Sequence, residues 1–224
     1  MTTRPDHRRL SPTLAAALAC VGCQGTRAQP LREADYPGTL QPASALPVQA
    51  VWQQHVTASW RGPDGQPQER GFDAAIQRRG DELTVVGLSP VGSVGFSITQ
   101  RPGSVDVVNH IPEQMVIPPR FILLDVQRAF FPWTAADADT DRSGEVVTNR
   151  DQELIRERWE QGHLVERTFT RESGVPAGEI HVAYDWGRGQ WALPERVVLD
   201  NGWFGYRLTI VTSSETCLDD GGRP

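Results

Sequence analysis

Histidines, cysteines and a run of aspartates are the side chains with which this 224-residue chain could do chemistry, and their spacing decides what kind. His7, His55, His110, His163 and His181 are scattered, without the spacing at which imidazoles gather on one metal. Asp137, Asp139, Asp141, Ser143 and Gly144 come nearest to a motif: counted from Asp139, oxygen ligands fall at loop positions one, three and five, with glycine at six. The twelfth position is Arg150, where a calcium loop needs a bidentate carboxylate, so the stretch reads as a solvated acidic loop. Ser89, Ser93 and Ser97 lack a nucleophile elbow, and no glycine-rich loop runs from a strand into a helix to cradle phosphate. Asp219 and Asp220 lie in a polar tail. No constellation supports an enzyme, and no metal or cofactor is expected. A net charge of −6, with no concentrated basic surface, also argues against nucleic acid as a main partner.

The cysteines carry a different chemistry. Arg4, Arg8 and Arg9 precede an uncharged run from Leu10 to Gly22, the basic and apolar regions of an export signal. The run is too short for a membrane helix, which needs about 20 apolar residues. It ends in Ala17-Leu18-Ala19-Cys20-Val21-Gly22-Cys23, where small residues before a cysteine resemble the lipobox of bacterial lipoproteins, whose cysteine is acylated and becomes residue one. Cys20 has the more regular preceding residues, Cys23 the favourable Gly22 and a longer apolar run; the balance tips slightly to Cys20. Cys217 is the one cysteine beyond this segment, so no internal disulfide framework is available. The expected organisation is a signal over 1–22, a Pro/Ala/Gln-rich tether over 23–47, a folded domain over 48–213 and a polar tail over 214–224.

The elements of that domain are legible around Leu83 to Asn109. Leu83 to Leu88 is aliphatic and stops at Ser89-Pro90-Val91-Gly92; Val94, Phe96 and Ile98 then share one face of an alternating strand; Arg101-Pro102-Gly103 turns the chain into Val105 and Val107. Val91 is out of character at the tip of a tight turn, where a polar residue is the ordinary choice. Upstream, Val48 to Trp60 and Phe72 to Arg79 alternate; downstream, the pattern continues from Glu153 to Val211. About ten strands result, with one helix, Arg120 to Phe131, bracketed by Pro119 and Pro132 and so apolar that it must lie against the sheet. Seven tryptophans in a chain of moderate hydrophobicity point to a few large apolar contact regions.

The run LTVVGLSPVGSVGFSITQRPGSVDVVN resembles the central meander of LolB, in the LolA/LolB superfamily of lipoprotein carriers and receptors, and LPERVVLDNGWFGYRLTI is similar to its last two strands. ILLDVQRAFFPW departs from LolB but resembles a group of LolB-like bacterial lipoproteins, some of which accompany aryl-polyene biosynthesis clusters. The resemblance implies a mainly β fold: a strongly curved antiparallel sheet of about eleven strands, an unclosed half-barrel, with a helical lid on its concave face. It also implies an acyl-binding cavity, placed here at Val94, Phe96, Ile98, Phe121, Leu124, Tyr206, Leu208 and Ile210, and a membrane-facing loop at Pro90, Val91 and Gly92.

The function expected from these readings is non-enzymatic. A lipoprotein anchored on the periplasmic face of the outer membrane would bind acyl chains or another hydrophobic ligand and help deliver it to the inner leaflet, with a periplasmic carrier protein as a further partner. The rival is an envelope scaffold whose interior is filled by its own side chains; a hydrolase comes third.

Overall fold

The computed structural model describes residues 36–89, 91–110, 117–134, 142–187 and 191–218. Alternation builds nearly all of it. Eleven antiparallel strands form one sheet: β1 (Ala50–Arg61), β2 (Pro67–Arg79), β3 (Glu82–Leu88), β4 (Val94–Arg101), β5 (Ser104–Asn109), β6 (Gly144–Arg150), β7 (Glu153–Glu160), β8 (His163–Arg171), β9 (Glu179–Asp185), β10 (Arg196–Asn201) and β11 (Tyr206–Cys217). Their order is β5-β4-β3-β2-β1-β11-β10-β9-β8-β7-β6. Each strand therefore lies beside its neighbours in sequence, except β5 and β6, and the first and last strands pair in the middle. The sheet is not closed: β5 and β6 are its two edges, and the chain between them carries α1 (Pro119–Phe130).

Register places the apolar residues in rows across the inner face. Trp52 lies opposite Ile76, Ile76 opposite Val85, and Val85 opposite Ile98. In the other half, Val56 meets Ile210 and Ile210 meets Val197. A β-carbon at Gly87 would stand 2.1 Å from Cε1 of its partner Phe96, so only glycine lets that ring lie flat across β3. The first row runs out at Val107, opposite Ile98 on β5, all of whose residues are exposed.

Two expectations are corrected here. The acidic stretch read as a loop through Asn149 becomes edge strand β6 from Gly144 onward, because Val146, Val147 and Thr148 have the branched side chains that suit a ladder against β7. Asp137, Asp139 and Asp141 lie outside the described residues. The stretch assigned to a tether is also structural from residue 36: Tyr36 is 1 % exposed, Gln41, Ala43 and Leu46 are buried, and Ala43–Ala45 form a 3-10 turn. The eleven strands are the number that the resemblance implied, where alternation alone gave about ten, and β11 continues to Cys217, beyond the expected end of the domain.

Helix α1 begins with Pro119 in its first turn, where no backbone donor is lost, and ends where Phe131 becomes extended before Pro132. Nine of its residues are buried, Asp125, Gln127 and Arg128 among them. The sequence marks these three as the helix's polar positions, and solvent would be their usual place. Instead the helix is enclosed on all sides, with the sheet on one and residues 36–46 on another.

Candidate functional site

A helix buried all round must give each of its polar side chains a partner, and α1 does so through three separate anchors. Asp125 accepts from Tyr36 Oη at 2.5 Å and from Tyr206 Oη at 2.6 Å, while Asn201 Nδ2 donates to both phenols at 3.0 and 2.9 Å. Burial pushes the Asp125 carboxyl up to about 6, and the hydrogen bonds from Tyr206 and Tyr36 restrain that rise. Burial and the neighbouring carboxyl push both tyrosines well above their ordinary range. Gln127 Nε2 donates to Gln100 Oε1 on β4 at 2.9 Å and to the Gln41 carbonyl at 3.0 Å, and Gln127 Oε1 accepts the Gln41 N–H at 2.7 Å. Arg128 Nη2 pairs with Glu153, the first residue of β7, and its guanidinium carbon lies 4.6 to 5.1 Å from the rings of Tyr36, Trp203 and Phe169.

Beyond the last turn of α1 the packing opens into a groove of about 210 Å³. Its walls come from four places: the helix end and Phe131 to Thr134, the β7–β8 hairpin, the β9–β10 connection at Ala192 to Pro194, and Leu46 to Val48. Trp133, Trp159 and Trp186 stand along it. Each indole N–H is already engaged, with the Gln127 carbonyl at 2.9 Å, Glu157 Oε2 at 3.2 Å and the Leu164 carbonyl at 2.7 Å, so all three present hydrocarbon to the space. Two larger clefts, of about 560 and 540 Å³, are more open and have charged walls containing Glu160 and Asp185 in one and Asp81, Arg101 and Arg120 in the other. The groove is the concave, largely apolar space of the kind that hydrophobic ligands occupy. Among the described residues no group of three or more His, Cys, Asp or Glu side chains could hold a metal ion.

None of the eight residues assigned to a ligand cavity from sequence lines this groove. Ile98, Phe121, Leu124, Tyr206 and Ile210 are buried in the core, with Phe96 and Leu208 partly buried against it, and Val94 is 45 % exposed near the β3–β4 turn. Phe121 packs edge-on to Tyr36 at 4.7 Å, and Tyr206 is tied to Asp125, so α1 and its anchors occupy this part of the interior. In the expected membrane-facing loop, Pro90 lies outside the described residues, Val91 is 87 % exposed, and Gly92 takes a positive φ of 79°. Cys20 and Cys23 also lie outside. The groove tryptophans carried one signal in the sequence, their number; nothing in their spacing brings them together.

Residues 51–214 match the protein family described as Protein of unknown function (DUF3261). No curated protein sequence matches the chain. Among solved structures it is similar to a LolA superfamily protein from Nitrosomonas europaea, at 13% identity over 81% of this chain and 95% of that one, with a TM-score of 0.43. It is also similar to a putative outer membrane lipoprotein-sorting protein domain from Vibrio parahaemolyticus, at 9% identity over 78% and 87%, with a TM-score of 0.39. LprF from Mycobacterium bovis is similar at 14% identity over 80% and 92%, with a TM-score of 0.30.

Proposed function

The chain belongs to the DUF3261 family, and on that footing we propose that it is a lipid-anchored envelope protein that binds an acylated or similarly hydrophobic ligand and helps deliver it to the inner leaflet of the outer membrane. The observation that carries this reading is the groove of about 210 Å³ beside Trp133, Trp159 and Trp186, whose indole donors are all spent within the protein. The export signal and the Ala-Leu-Ala-Cys sequence support anchoring through an acylated cysteine, and no helix among the described residues is long and apolar enough to cross a membrane. The resemblance of the central meander to LolB supports transfer as the purpose of binding. The ligand is the acyl part of a lipoprotein, a free lipid or a polyene-type lipid, received from a periplasmic carrier.

Mass spectrometry of lipids extracted from the gently purified protein tests the reading. A co-purifying lipid that is lost when Ala192→Trp fills the groove is the expected result. An intact protein that carries no lipid and takes none up would fit a scaffold, a reading favoured by the helix that already fills much of the interior.

A further inference from the structure

We propose that the groove takes one hydrocarbon chain tail-first, to a depth of about seven carbons, and leaves the ligand's polar head outside. This rests on the reading of the protein as a binder of hydrophobic ligands and specifies what part of the ligand is held. Volume sets the depth. At about 30 Å³ for a group the size of a water molecule, a cavity of about 210 Å³ holds roughly seven methylenes. A triacylated lipoprotein brings three long chains, and the groove has room for the end of one.

Polarity sets the direction. Besides the three engaged indoles, the polar side chains on the wall are Thr134, Glu157, Arg167 and Tyr184. Thr134 Oγ1 donates to Glu157 Oε2 at 2.5 Å, and Tyr184 Oη points to the Arg128 carbonyl at 3.4 Å. Arg167 gives Nε to Glu157 Oε1 at 2.7 Å and Nη1 to the Arg128 carbonyl at 2.6 Å, and its Nη2 stands 2.7 Å from Glu157 Oε1. No polar side chain of the wall is left to receive a carboxylate, phosphate or ester. A head group driven inward would either go unpaired or have to separate the Glu157–Arg167 pair. A hydrocarbon end asks nothing of these walls. The remaining contributors include Pro47, Pro132, Gly162 and Pro194, which carry no charge that would hold a head group inside.

The test uses the full chain with Cys20→Ser and Cys23→Ser, so that no acyl chain of its own competes. Saturated fatty acids of six to sixteen carbons are titrated by calorimetry, and dibromostearates brominated near the carboxylate or in the tail half are compared as quenchers of tryptophan fluorescence. Affinity should rise about fourfold per carbon and level off once about seven carbons are buried. Tail bromines should quench and head-proximal bromines should not. Ala192→Trp, at the half-buried rim, should abolish both effects while leaving the melting temperature within a few degrees. A rise that continues through sixteen carbons, or equal quenching from both ends, would overturn the tail-first insertion yet leave hydrophobic binding standing. Absence of binding by every fatty acid tested, with the protein folded, would overturn both.

Discussion

Glu153, the first residue of β7, holds Arg128 Nη2 through both carboxylate oxygens, at 2.9 and 3.0 Å, and neither side chain is more than 1 % exposed. The consequence reaches across the sheet. β7 lies beside edge strand β6, whereas Gln100, the partner of Gln127, is on β4 beside edge strand β5. One helix thus braces both outer parts of a sheet that does not close on itself, doing with side chains what a barrel does with a final ladder of hydrogen bonds.

Removing one member of that ion pair should be costly. Glu153→Ala leaves a buried guanidinium without its counter-charge, and a loss of about 3–5 kcal/mol is expected. Arg128→Met combined with Glu153→Leu removes both charges and should cost less than the single change. Urea unfolding of the three proteins measures this. A double variant no more stable than Glu153→Ala would show that the contact depends on the aromatic packing around Arg128 or on the second pair that Glu153 makes with Arg171 at 3.5 Å, and not on the Arg128–Glu153 pairing.

Asp125 should give the fold an unusual dependence on pH. Its carboxyl titrates near 4 in the unfolded chain and at about 6 in the folded protein, so between those values the folded state binds more protons. The site's stability contribution is therefore fully present below pH 4 and is lost as pH rises through 6, a change of about 3 kcal/mol. The tyrosines that face it are pushed well above this window, and Arg128 remains charged throughout. Asp125→Asn should flatten this part of the stability profile between pH 4 and 7, measured as the difference in urea midpoints from the parent protein. An identical slope in both proteins would remove Asp125 as its source.

The sheet was readable in the sequence because a strand with one wet face prints its burial directly as alternation; Trp52, Val56 and Ala58 are an example. Val94, in contrast, departs from Phe96 and Ile98 and is 45 % exposed where the register shifts between Gly87 and Leu88 opposite it. Two kinds of structure left no such trace. Tyr36, Gln41 and Leu46 lie in a segment rich in proline and alanine without a period, and what fixes them is long-range contact with α1, including Tyr36 with Asp125 and Gln41 with Gln127. Asp125, Gln127 and Arg128 look solvent-directed when counted by polarity alone, because their partners lie on β10, β11, β4 and β7. The groove failed to show for the same reason: Trp133, Trp159 and Trp186 come from three separate segments and share no spacing.

The anchor is tested by replacing Cys20 and Cys23 together with serine. Three acyl chains, at about 0.8 kcal/mol per buried methylene, would hold the protein far more firmly than one. The double variant should lose metabolic palmitate labelling and accumulate as a soluble or unprocessed precursor. Each single replacement then reports which cysteine is modified. Labelling that survives the double replacement would remove the lipid anchor from the proposed function.

Val91 should act in transfer and not in folding. At 87 % exposure it gains nothing from its own hairpin. The turn beneath it is closed without its side chain, by Gly92 N–H to the Ser89 carbonyl at 2.8 Å, Ser89 N–H to the Ser93 carbonyl at 2.7 Å, and the two serine hydroxyls at 2.7 Å. Val94, three residues on at the start of β4, is also apolar and 45 % exposed. Burying one valine in a bilayer interface gains on the order of 1.5 kcal/mol, enough to bias the orientation of an already anchored protein and too little to bind a free one. Val91→Glu should therefore change stability by less than about 0.5 kcal/mol. It should leave fatty-acid uptake by the groove intact, because the groove is built from other parts of the chain. What should fall, by about tenfold, is the rate at which a loaded, anchored protein gives its ligand to liposomes, since 1.4 kcal/mol corresponds to a factor of ten. Val91→Leu should keep or raise that rate. Transfer from Val91→Glu at the parent's rate, with loading and folding unchanged, would reduce this turn to a connection between β3 and β4.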